Sequence, residues 1–267
     1  MRKYLIPFVL LFIFSCKETN PEKETGCQIV EETHQFDKEN GFFDKQLFYN
    51  EIGKLDSVYS TMVWPMSDSR YGYAIKINYD GEMLSEIKIK YENYNYMLIM
   101  YPIYEVDLLK ELVLKTDKGE QVSYFEFSYD EGDQVIDLVS DMFLYDFHFK
   151  YDDRGNIIEL SSVDSDLNEV VGVITYSYDE QNNPYKEQSV ENFILHSIVS
   201  EYRREFPYYL SKNNVIVSEN LMTNEYNQEE RQITSSYTYD ENGYPTSCVQ
   251  TYADSTQLFV TYQMSCN

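Results

Sequence analysis

FKYDDRGNIIEL, residues 149–160, is a β-hairpin written in sequence. Asp152 suits the first position of a tight turn, where its carboxylate can accept from the backbone two residues on. Gly155 supplies the left-handed conformation that closes such a turn. The incoming strand alternates, with Phe143, Tyr145, Phe147, Phe149 and Tyr151 on one face and Asp146, His148, Lys150 and Asp152 on the other. Period two with aromatic residues is a strand signal. A four-residue loop, 152–155, pairs Tyr151 with Asn156, Phe149 with Ile158 and Phe147 with Leu160.

The same step recurs. Tyr49-Asn50, Tyr79-Asp80, Tyr129-Asp130, Tyr178-Asp179, Tyr226-Asn227 and Tyr239-Asp240 align on Tyr151-Asp152, and Thr116-Asp117 is a degenerate copy. Gly243 stands where Gly155 does, and Asn182 replaces it after Asp179. Asp240 with Gly243, and Asp179 with Asn182, are therefore read as further turns. The same loop rule pairs Phe127 with Ile136, and Phe125 with Leu138. The uneven spacing excludes a rigid solenoid. It predicts a mainly β chain of 12 to 16 strands, an antiparallel meander of hairpins. A sheet that long must curl to cover its aromatic face. A strongly curved open sheet or incomplete barrel is expected, and a sandwich is the next choice. One segment breaks the pattern. SVENFILHSIVSEYRREF, 189–206, has helical spacing of Val190, Phe193, Ile194, Ile198 and Tyr202, so a helix is expected over about 189–205, stopped by Pro207.

The N-terminus stands apart. Arg2 and Lys3 precede an apolar run, Tyr4–Phe14, too short to span a bilayer and suited to a secretory signal. Ser15-Cys16 at its end looks like a lipobox, which assigns 1–15 to the signal and lipidation to Cys16. The polar stretch after Cys16 is expected to be a flexible tether over 16–38, followed by a single hairpin-repeat domain, 39–267. Without the signal the chain holds 19 Lys+Arg against 46 Asp+Glu, a charge of −27. That excludes nucleic acid as a partner.

FKYDDRGNIIEL, YSYDEQNNPYKE and YTYDENGYPTSC resemble the YD repeats of Rhs-type proteins. The lipobox, these hairpins, NNPYK (182–186), a helical insert, LSKNNVI (210–216) and YTYDENGYPT (237–246) together resemble a family of Bacteroidota lipoproteins. The resemblance implies an envelope location, outer membrane with the side unassigned, and a hairpin-rich sheet. It supplies no catalytic residues.

The residues offer little chemistry. His34, His148 and His196 fall in separate segments, and no nucleophile, phosphate-loop or zinc motif is present. Asp164, Asp166 and Asn168 place oxygens at alternate positions as calcium loops do, but Glu169 stands where that loop needs glycine. A plain loop is the preferred reading, with no cofactor or metal. Off-register aromatics are candidates for exposure: Tyr94, Tyr96, Tyr101, Tyr208 and Tyr209, with Trp64 in an irregular Pro-containing stretch. Trp64, Tyr208 and Tyr209 are singled out as ligand or partner contacts. Cys27, Cys248 and Cys266 leave the disulfide open. The register above sets Cys248 opposite Ser235 and Thr261, far from Cys266. The chain is thus expected to be a membrane-anchored binding or scaffold module, without catalysis, for an envelope protein or glycan. A carrier of a small apolar ligand or lipid in a sheet-and-helix cavity is the alternative. A carboxylate-based hydrolase comes last.

Overall fold

The computed structural model describes residues 27–36, 42–63, 70–185, 194, 206–221 and 232–266. Sixteen strands follow one another as an antiparallel meander. They are β1 (Cys27–Phe36), β2 (Phe42–Tyr49), β3 (Leu55–Val63), β4 (Arg70–Asp80), β5 (Met83–Tyr91), β6 (Met97–Glu105), β7 (Leu108–Thr116) and β8 (Gln121–Tyr129). Then come β9 (Val135–Ser140), β10 (Asp146–Tyr151), β11 (Ile157–Asp164), β12 (Glu169–Asn182), β13 (Asn213–Asn220), β14 (Gln232–Tyr239), β15 (Pro245–Tyr252) and β16 (Gln257–Cys266). Among the described residues one short helix, α1 (Phe206–Leu210), lies between β12 and β13.

The sheet closes on itself. β1 pairs with β16 from Cys27↔Cys266 to Phe36↔Leu258, so the wall is a closed barrel and not an open sheet, an incomplete barrel or a sandwich. The closing strand lies inside the segment expected to be a tether. CQIVEETHQF has few large apolar residues, because its inward positions carry Glu32 and His34 beside Ile29. The pairing partners supplied by β2 and β16 make it a strand.

The hairpin turns alternate between two rims. One, here the turn rim, carries the loops after Tyr49, Tyr79, Tyr104, Tyr129, Tyr151 and Tyr239. The other carries the β5–β6, β7–β8, β9–β10, β11–β12 and β15–β16 connections. The Thr116 copy therefore turns at the opposite rim. At Asp152, Oδ1 accepts from the amides of Arg154 and Asn156, both at 2.9 Å. Asn50, Asp130 and Asp240 accept from residues two and four on in the same way. Gly155 has φ +87° and its amide bonds the Asp152 carbonyl. Burial pushes the Asp152 carboxyl up, but the Asn156 amides and Arg154 outweigh it and hold it below its usual value. Asp152 and Asn156 bond to each other across the turn, so the loop has three residues rather than four.

A bulge follows each of these turns, and it corrects the register. Tyr151 pairs with Ile157, but Lys150 pairs with Glu159 and Phe149 with Leu160. Ile158 is the extra residue and points outward, 41% exposed. Phe127 likewise pairs with Leu138 and Phe125 with Ser140, with the shift at Ser128/Tyr129. The three-residue loop and the bulge each move the register by one. The two shifts sum to an even number, so the apolar faces still meet. Ile157 and Leu160, like Leu55 and Val58, enter the core three residues apart. That spacing is the sequence trace of the bulge.

The tyrosine of the motif secures the bulge. Tyr151 donates from its hydroxyl to the Val135 carbonyl at 2.8 Å, the residue that pairs with Tyr129. Tyr129 donates to Leu109, Tyr79 to Leu55, Tyr178 to Ile157 and Tyr49 to Ile29. Each hydroxyl thus ties its strand to the bulge region of the preceding strand, where the ladder is interrupted. Phe cannot make this bond, and the rim repeats Tyr.

The inward face is the core. Phe125, Phe127, Phe147, Leu112, Leu138 and Leu160 are among its fully buried side chains. A sixteen-stranded wall encloses more space than its own side chains fill. Tyr185, Ile194 and Tyr209, from the connection between β12 and β13, lie in the same buried cluster and occupy the lumen. The helix expected over 189–205 lies outside the described residues, apart from Ile194. Pro207 is the second residue of α1, where its fixed φ and missing N–H suit a first turn.

Tyr151→Phe is expected to keep the core contacts and lose the bond to Val135. Stability should fall by about 1 kcal/mol, measured by urea denaturation.

Candidate functional site

Three regions concentrate polar or exposed aromatic groups. The first joins the lumen plug to the turn rim. Asn183 Nδ2 donates to the carbonyls of Tyr208 and Ser211, each at 2.7 Å, and its Oδ1 accepts from Tyr185 N. Ser211 Oγ accepts from Ile157 N at 3.0 Å and donates to the Tyr178 hydroxyl at 2.9 Å. Asn156 and Asn213 bond reciprocally, Nδ2 to Oδ1 at 3.0 Å and N to Oδ1 at 2.9 Å. Asp179 receives the Asn214 amide and the Tyr239 hydroxyl. Asn156, Asn183, Ser211 and Asn214 are all buried. Most of these bonds fix backbone or a neighbouring amide, so the network fastens both ends of the plug. Asp179 and Asn182 accordingly lie within β12, with Asn182 paired to Asn213, and not in a hairpin turn of their own.

The second region is on the inner wall. Glu32 and Lys45 are 2% and 3% exposed and directly opposed in the β1/β2 ladder. Lys45 Nζ lies 3.9 Å from Glu32 Oε2, and His34 Nε2 lies 2.5 Å from Glu32 Oε1. Lys45 also sits over the Phe43 ring, 4.6 Å from its centre. Burial, and after it the charge of Glu32, pushes the Tyr185 and Tyr49 hydroxyls well above their ordinary range. A buried ion pair costs desolvation on both sides and holds only where the geometry is kept. Here it fixes the closing strand β1 against β2. The cavity bounded by Tyr185, Tyr208, Tyr237 and Tyr262 measures about 10 Å³, the space of one water.

The third region is exposed, at the rim opposite the turns. In YENYNY, residues 91–96, Tyr94 and Tyr96 are 50% and 43% exposed. Tyr73 meets Tyr91 at 6.1 Å, Tyr91 meets Tyr94 edge-on at 5.9 Å, and Tyr94 meets Tyr96 at 5.3 Å and 45°. The chain of rings runs from the wall out to solvent, so each ring holds the next in place. Glu92, Asn93 and Asn95 are exposed beside them. Tyr101, also exposed, lies on the outer wall under Lys115.

The other sequence candidates fall elsewhere. Tyr209 is in the core, edge-on to Tyr185 at 4.8 Å, and Tyr208 is half-buried with its hydroxyl 3.4 Å from Ser235 Oγ. Neither is a surface contact, because both belong to the plug. Trp64, Cys16 and Tyr226 lie outside the described residues. Asp164 Oδ1 accepts from the amides of Asp166 and Leu167, and Asn168 takes φ +53° to complete that turn. The Asp164 carboxylate thus serves its own loop. Among the described residues no group of three or more His, Cys, Asp or Glu is placed to hold a metal. Cys248 pairs with Tyr237 rather than Ser235 because of the three-residue loop and bulge after Tyr239, and with Val260 rather than Thr261 because the 253–255 loop has three residues and no bulge follows it. Its thiol is buried and pushed up to about 12 by burial. The Glu32–Lys45 pair was missed because it lies partly in the presumed tether. Its trace is the pairing of charges at positions whose neighbours, Ile29, Phe43 and Leu47, are apolar.

The wall is apolar inside and charged outside. Lys76, Lys88, Lys90, Lys150 and Glu159 point outward, several in ion pairs such as Lys150–Glu159 at 2.6 Å. Membrane-spanning barrels have the reverse polarity, and a Lys or Arg on the lipid face costs about 2–4 kcal/mol at mid-bilayer. No described helix is long and apolar enough to cross a membrane. The fold is thus a closed β-barrel with charged side chains on its outer wall.

No family's sequence pattern matches the chain, and no curated protein matches it. Among solved structures, a porin-like protein from Bacteroides uniformis is similar, at 12% identity and a TM-score of 0.57, covering 89% of this chain and 96% of that one. It shares the fold. A porin-like protein from Bacteroides vulgatus covers 88% of this chain and 98% of its own at 12% identity, with a TM-score of 0.35. The TcdB2-TccC3-Cdc42 structure aligns with 82% of this chain and 12% of its own at 15% identity, with a TM-score of 0.28. These two superimpose too loosely to add to the first.

Lys45→Met removes the ammonium beside a buried carboxylate. It is expected to cost about 3 kcal/mol, while Glu32→Gln with Lys45→Met recovers most of the loss. Urea denaturation of both variants measures the difference.

Proposed function

We propose that the chain is a lipid-anchored protein of the cell envelope whose barrel is a rigid, non-catalytic binding module, and that the 92–96 hairpin holds a neutral glycan. The observation that carries the binding part is the chain of tyrosine rings running out to Tyr94 and Tyr96. Exposed rings fixed by their neighbours lose little freedom on binding. Their faces suit the CH faces of sugar rings, and Glu92 and Asn95 supply polar groups for hydroxyls. The acidic charge of the chain favours a neutral glycan over an anionic one.

Two features support the rest of this reading. Tyr185, Ile194 and Tyr209, buried within the wall, favour a surface function over carriage of an apolar ligand. The lipobox-like end at Cys16 lies eleven residues before β1, a reach of about 40 Å at most. β1 starts at the turn rim, where Gln28 Nε2 donates to the Gly53 carbonyl at 2.6 Å. An anchor at Cys16 therefore holds the turn rim towards the membrane and presents the tyrosine hairpin away from it.

Laminarihexaose serves as a neutral glucan probe. Isothermal titration is expected to show saturable binding, weakened at least about tenfold by Tyr94→Ala with Tyr96→Ala and unchanged by Tyr59→Ala on the outer wall. Absence of saturation in the wild type removes the glycan reading. Separately, Cys16→Ser is expected to shift the protein from the membrane fraction to the soluble one.

A further inference from the structure

The seam between β1 and β16 differs from every other pairing in the barrel. All the others join consecutive strands, whereas this one joins residues more than two hundred positions apart. Loop-closure entropy is therefore largest at the seam. The ladder there ends on Cys27↔Cys266, followed by Gln28↔Ser265 and Ile29↔Met264. Directly opposed residues of an antiparallel pair have Cα atoms about 4.5 or 5.5 Å apart, within the span of about 4.4–6.8 Å that a disulfide bridges. The remaining thiol of the barrel is placed elsewhere. Cys248 is buried on β15 and pairs with Val260, six residues from Cys266 along β16.

We propose that Cys27 and Cys266 form a disulfide that locks the barrel at its closing seam. The two thiols lose two protons and two electrons as the S–S bond forms. A disulfide-bonded oxidant of the thiol–disulfide oxidoreductase class accepts them and becomes a dithiol. Only a chain with β1 already laid against β16 presents the two cysteines together, so the bond records correct closure. It holds the wall shut when the ladder beside it frays. The oxidation depends on the export reading, because a reducing cytosol would keep both thiols free. The pairing itself depends only on the register.

Full-length protein expressed with export to an oxidising compartment is alkylated without reduction, digested and mapped by mass spectrometry. A peptide pair joined through Cys27 and Cys266 is expected, with Cys248 carrying no bond. Cys248→Ser should leave the link intact. Reduction with dithiothreitol should lower the melting temperature by several degrees, to that of Cys27→Ser with Cys266→Ser, and should not shift that double variant. The pairing is overturned if Cys27 and Cys266 appear as separate alkylated peptides both in protein recovered from cells and after refolding in a glutathione redox buffer, or if either is joined to Cys248. Refolding of purified chain in a glutathione redox buffer separates the two readings. A link that forms there but not in protein recovered from cells upholds the pairing and defeats the export assignment.

Discussion

The β1–β16 ladder is the interaction on which the rest depends. A meander of sixteen strands has two edges and one wide apolar face. Until the edges meet, the edges expose unpaired backbone and the face exposes Phe125, Phe127 and Phe147. Closure removes both costs at once. The strand that achieves it is among the least apolar in the chain. Its inward positions are held by the Glu32–Lys45 pair and by His34, so the seam combines backbone pairing with buried charge rather than with bulk.

Closure creates a second requirement, a filled lumen. The connection between β12 and β13 meets it with Tyr185, Ile194 and Tyr209. Its two ends are fastened through Asn183 and Ser211 to the Tyr178–Ile157 corner, and through Asn213 to Asn156. The motif that builds the wall therefore also provides the sockets for the plug. Asn156 belongs to the opening stretch FKYDDRGNIIEL, and its amide is wholly committed to that role. The wall carries charged side chains outside, and Tyr185, Ile194 and Tyr209 are buried inside it. Its pre-positioned aromatic groups stand at the rim away from the N-terminus.

Much of this was legible from residue patterns. Period-two alternation gave the strands, and Asp and Gly spacing gave the turns and their recurrence. Other features were visible but misread. Apolar residues three apart, Ile157 with Leu160 and Val135 with Leu138, break the period and mark a bulge, yet a simple loop rule counts past them. The repeated Tyr, where Phe would fill the same space, marks a hydroxyl with a fixed carbonyl partner. The tyrosines at 94, 96 and 101 stood out because they fell off the alternation, and they are exposed for that reason. Tyr208 and Tyr209 fell off it as well, but the plug buries or half-buries them.

The sequence alone determined an antiparallel meander of hairpins with one covered face, since alternation and turn chemistry act between neighbours in the chain. Tertiary structure alone decided that the sheet closes, that CQIVEETHQF is a strand, and that Cys27 stands opposite Cys266. Those outcomes rest on partners more than two hundred residues distant. A polar strand has no local signal when its stability comes from backbone bonds to β16 at the far end of the chain and from a buried charge on β2.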